Sequence, residues 1–97
     1  MLNNFTIEIL RDKVREDIKK TVAFFRQGAD KEGYKQLVEL IKPMEELIQL
    51  SAKDGKVKVV EKINLDLLKA LKAMEDGDLV LLADYLEYQI LPNITSL

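Results

Sequence analysis

Four runs of apolar residues recurring every three or four positions, separated by glycines, restrict this chain more than any other feature of its sequence. Such recurrence matches the 3.6-residue turn of an α-helix. Gly28, Gly55 and Gly77 fall just after the first three runs, where glycine's access to left-handed backbone commonly closes a helix. No phosphate-cradling motif accompanies them, so they read as stops, with Gly33 as further punctuation after the first run.

The first run is Ile7, Leu10, Val14, Ile18, Val22 and Phe25, with Asn4 or Thr6 as its N-cap. Its other face, from Arg11 to Lys20, mixes both charge signs and suits solvent. Phe5–Ile9 also alternates like a strand. In the second run Asp30 is placed as the cap, and Tyr34, Leu37, Ile41, Met44 and Ile48 are spaced as a heptad seam. Leu40 and Leu47 widen that stripe, so this helix is expected to touch two neighbours near the centre of a bundle. Pro43 lies inside it and is expected to bend it.

Lys56–Val60 is ambiguous and would pair with Phe5–Ile9 if both were extended. From Val60 onward, Ile63, Leu67, Ala70, Leu71 and Met74 restore helical spacing, with Asn64 either fixing register inside the stripe or reaching solvent at its boundary. The last run begins at an Asp78 cap and is expected to end at Pro92. It carries two apolar faces: Leu79, Leu82, Ala83, Leu86 and Ile90 on one, and Leu81, Tyr85 and Tyr88 on another.

Four such runs joined by very short turns fold most simply as consecutive antiparallel neighbours. The expected fold is all-α, an antiparallel up-down-up-down four-helix bundle with short turns, spanning residues 1–97 as one domain. Its rival is a three-helix core with one segment split at Pro43 or turned toward a second chain.

Composition then narrows the chemistry. Cysteine and histidine are both absent, which removes thiol nucleophiles, disulfides, thiolate or imidazole metal sites and histidine proton shuttles. Ser51 and Ser96 are the only serines, and neither has a histidine to activate it. No catalytic residue and no cofactor is therefore expected. The longest apolar run, Leu79 to Ala83, is far short of a bilayer span, and the N-terminus lacks a secretory pattern. A cytoplasmic protein without a membrane partner is the expectation, so the glycosylation-type triplets at Asn4 and Asn93 read as chance.

Net charge is −2 but unevenly placed. Residues 53–72 hold six basic groups against three acidic ones, and residues 73–97 hold five acidic groups and no basic one. An acidic end argues against nucleic acid, whose affinity rests on clustered basic residues. The carboxylates Asp76, Asp78, Asp84 and Glu87 are the one concentration of hard-cation ligands. Asp78 already serves as a cap, and Asp84 and Glu87 read as a solvated face, so no metal site is assigned. Phe24 and Phe25 close the first helix, where core packing accounts for them.

Phe25-Arg26-Gln27-Gly28, Glu32-Gly33-Tyr34 and the stretch Gly77 to Tyr88 with Pro92 resemble small uncharacterised helical proteins of Firmicutes. That resemblance covers most of the chain and implies no catalytic residues. In size, charge and helical layout the chain is also similar to flagellar export chaperones, which implies a bundle holding a partner's helical segment against an apolar groove. The expected function is a non-enzymatic protein-binding module, adaptor or chaperone-like, using Leu81, Tyr85 and Tyr88 for self-association as a homodimer or for a protein partner. The alternative is a small-ligand or metal-binding bundle with a carboxylate site at Asp84 and Glu87.

Overall fold

A computed structural model describes residues 4–97, with side chains from Thr6 onward. The rods are α1 (Asn4–Arg26), α2 (Asp30–Lys53), α3 (Val57–Glu75) and a fourth made of three continuous pieces: α4 (Leu79–Asp84), a π-helical turn (Tyr85–Ile90) and α5 (Leu91–Thr95). Together they form an all-α, antiparallel four-helix bundle measuring 41 × 21 × 18 Å. Its long axis is what helices of 23 and 24 residues require at 1.5 Å per residue.

The three turns close by one device. Gly28, Gly55 and Gly77 adopt φ of 76°, 88° and 71°, and the residue after each donates its N–H to a carbonyl five positions back, Ala29 to Phe24, Lys56 to Ser51 and Asp78 to Ala73, at 2.9 Å each. These are Schellman closures, which need a residue with positive φ and so a glycine. At the next helix starts the caps differ. Asp78 Oδ1 accepts from the Leu81 N–H at 3.0 Å and caps the fourth rod as expected. Asp30 instead is the first helical residue of α2, and Ala29 occupies the cap position without a side-chain bond. At α1, Thr6 lies inside the helix, and the Asn4 side chain falls outside the described residues.

Phe5–Ile9 and Val57–Val60 are helical, and no strand occurs among the described residues. Residues 5–9 continue the α1 period, and Val60 already belongs to the α3 core stripe, so burial on the bundle axis outweighs the local alternation. Pro43 sits within an unbroken α2. The fourth rod likewise runs through Pro92 to Thr95, because proline is tolerated in the first turn of the α5 piece.

The core takes Ile7, Val14, Ile18, Val22 and Phe25 from α1, as expected. From α2 it takes Leu40, Met44 and Leu47, so the inward face is centred about one residue step away from the anticipated seam; Tyr34 and Ile41 are exposed. From α3 it takes Val60, Ile63, Ala70 and Ala73 together with Asp66, while Leu71 and Asn64 face outward. Asp66 is tolerated there because Lys62 Nζ donates to it at 2.8 Å and Asn93 Nδ2 from α5 at 3.5 Å.

Packing is uneven around the bundle. α1 lies along α2 on one side and along the fourth rod on the other, and α3 lies along the fourth rod. Among the rods that touch, α2 and α3 do so over the shortest stretch; α2 has the expected two neighbours, α1 and α3, and lies far more closely along the first. Among the described residues, no helix is long and apolar enough to cross a membrane.

Candidate functional site

Leu82, Leu86, Ile90 and Ile94 are all essentially buried, and they repeat every four residues. In a straight α-helix that repeat drifts about 40° per step, or about 120° over the three steps. The π turn at Tyr85–Ile90 takes up one extra residue, the Leu91 N–H donating to the Leu86 carbonyl five positions back, and so returns about 100° of that drift. Ile94 and Leu97 thereby stay on the core.

The same rotation divides the second apolar face of this rod. Leu81 is 38% exposed and lines a shallow depression against α3 with Tyr85, Leu68 and Ala73. Tyr88 is 63% exposed and is turned the other way, into the seam with α1. There the Arg26 guanidinium stands 5.8 Å from the Tyr88 ring centre, a cation–π arrangement. Sequence periodicity groups Leu81, Tyr85 and Tyr88, and the structure brings only the first two together.

Arg26 also organises the carboxylates. Its Nη2 donates to Asp84 Oδ1 and to Glu87 Oε1, both at 2.8 Å. Those hydrogen bonds, to Glu87 first and Asp84 second, hold the guanidinium pKa above its already high ordinary value. Arg26 is the last residue of α1, so this fork ties the end of α1 to the fourth rod. The cation between Asp84 and Glu87 is thus the chain's own. Asp76 pairs with Lys72 at 3.0 Å and Asp78 is the cap. Among the described residues, no group of three or more acidic side chains is placed to hold a metal ion.

The seam between α2 and α3 is different in kind. It leaves a groove of about 160 Å³ lined by Leu37 and Ile41 of α2, Leu67, Ala70, Leu71 and Met74 of α3, and Leu82 and Leu86 beneath. Every lining side chain is apolar, and none offers a nucleophile or a proton donor. Two of the lining side chains, Ile41 at 52% and Leu71 at 45%, are exposed, and one helical turn from lining residues stand the exposed Tyr34 and Val38 on α2 and Leu68 on α3. Leu68 and Leu71 are three residues apart and therefore neighbours on one helix surface. Leu68 also borders the depression with Leu81 and Tyr85, but Lys69, Lys72 and Asp76 line it too, so the apolar surface of the groove stops on α3.

The sequence carries one signal of this groove. Of the expected seam of Tyr34, Leu37, Ile41, Met44 and Ile48, Met44 joins Leu40 and Leu47 in the core, Leu37 and Ile48 are half-buried against it, Tyr34 meets Phe25 of α1, and Leu37 and Ile41 line the gap toward α3. Helix α2 thus carries more apolar side chains than the core covers.

A family described as a domain of unknown function (DUF8042) matches residues 6–97. No curated protein and no solved structure matches the chain.

Proposed function

The chain belongs to the DUF8042 family, and on that footing we propose that it is a non-enzymatic protein-interaction module, adaptor or chaperone-like, whose docking surface is the α2–α3 groove. The observation that carries this reading is the groove itself, a wholly apolar channel between two helices with exposed aliphatic side chains on both rims. Isolated surface leucines are ordinary, whereas a contiguous apolar patch marks a place that another surface covers. A groove between two helices suits an amphipathic helix, whose apolar residues at i, i+3, i+4 and i+7 fill such a channel. Leu81 and Tyr85 lie apart from it, in a depression shared with Lys69, Lys72 and Asp76. Tyr88, engaged by Arg26, belongs to the bundle's own cohesion.

A photo-crosslinking residue placed at position 41 or 71 in the full chain tests the reading. Protein adducts are expected from both positions and not from position 20, on the exposed face of α1. No adduct from either groove position would refute it.

A further inference from the structure

We infer that the occupant of the α2–α3 groove is a second copy of this chain, related by a two-fold axis, an inference that rests on the docking reading above. Three observations favour a copy over an unrelated partner. The first is area. The exposed parts of Tyr34, Val38, Ile41, Leu68 and Leu71 amount to roughly 500 Å² of apolar surface, about the apolar share of the ~800 Å² that each partner gives a standard interface. That is also toward the upper end of the ~300–600 Å² found for the largest patch on a typical monomer.

The second is shape and repeat. A two-fold interface must be complementary to itself. This face carries both halves of such a fit, the α2 ridge of Val38 and Ile41 and the groove beside it. Tyr34, Leu37 and Ile41 keep one three-residue and one four-residue step of a heptad before the next member, Met44, turns into the core, and such spacing is how one helix fits another bearing the same repeat. A second copy supplies that repeat without further assumption.

The third is charge. Helix α2 carries four lysines and five carboxylates, net −1, and α3 carries four lysines and three carboxylates, net +1. A two-fold arrangement setting each α2 against the partner copy's α3 joins opposite signs.

Sedimentation equilibrium of the purified full chain, from micromolar to hundreds of micromolar, tests the inference. A monomer–dimer equilibrium is expected, and Ile41→Glu and Leu71→Glu should each weaken it by at least about tenfold, while Lys20→Glu leaves it unchanged. Far-UV circular dichroism checks that the variants fold. Val38→Glu, at a still more exposed position on the same ridge, stands in for either one that does not. A strict monomer at every concentration overturns the inference, as does a dimer indifferent to these substitutions. If the chain is monomeric yet the residue at position 41 crosslinks to a different protein, the docking reading survives and only the self-pairing fails. Without any adduct, both fall.

Discussion

Gly33 sets how closely α2 can approach the end of α1. A Cβ placed on it would lie 2.6 Å from the Phe25 ring, and that ring is itself fixed by burial and by an edge-on contact with Tyr34, centroids 5.4 Å apart at 81°. Gly33→Ala should therefore destabilise by about 1–3 kcal/mol, the usual cost of overpacking a core that cannot yield. Gly28→Ala meets open space and only a positive φ, so about 1 kcal/mol is expected there. Urea denaturation of the two variants separates space from backbone conformation. A second residue-scale test concerns Asp66, 1% exposed on the inward face of α3 with Lys62 as its short-range donor. Lys62→Met strips that donor from a buried acceptor and should cost about 1–3 kcal/mol. In the double variant with Asp66→Leu most of the loss should return, since no stranded carboxylate remains. If the double variant is no more stable than Lys62→Met alone, Asp66 matters through packing and not through its charge.

At the scale of elements, the turns and helix count were legible because each rests on a local rule, glycine at a Schellman closure and a side chain at the Asp78 cap. The choice of face was harder. Tyr34, Leu37 and Ile41 compete with Leu40, Met44 and Leu47 for the inside of α2, both sets apolar and both helically spaced, and which set wins depends on where α1 and α3 stand. Asp66 was hidden for a similar reason, since its donors come from Lys62 one turn away and from Asn93, distant in sequence. The π turn did leave a trace, the four-residue repeat of Leu82, Leu86, Ile90 and Ile94, which a 3.6-residue period does not hold on one line. The extra residue is therefore removable without turning the rod: deleting the exposed Gln89 gives a plain α-helix, and the twist lost with that residue equals the ~100° that the π turn gives back, so Ile94 and Leu97 keep their places on the core. The deletion should change stability in urea denaturation by less than about 1 kcal/mol. A loss of about 3 kcal/mol or more, comparable with emptying one large aliphatic site, would mean that the rod does not close up as a plain α-helix.

For the whole molecule, the arrangement of helices decides what is surface. α1 lies along α2 on one side and the fourth rod on the other, and the Arg26 fork fastens its end. The α2–α3 seam is left as the open side, and no pattern within one helix reports the distance between two. That distance is why the groove is visible only in three dimensions, whereas an apolar surplus on the fourth rod is visible in sequence. The open seam also ties stability to association. Ala70 is 4% exposed at the groove, and methionine there has enough flexibility to follow the channel and fill it. Ala70→Met should raise the stability of the isolated chain by about 0.5–1.5 kcal/mol, a common return for filling a cavity. The same side chain occupies the space that a docking helix needs. For the parent chain, mass action makes the urea midpoint climb with protein concentration if a second copy binds only the folded form. The variant's midpoint should start higher at low concentration and then stay flat. A midpoint that starts lower would mean that Leu82, Leu86 and Ala70 already close the groove floor, and a midpoint that climbs as steeply as the parent's would put the dimer contact somewhere other than this seam.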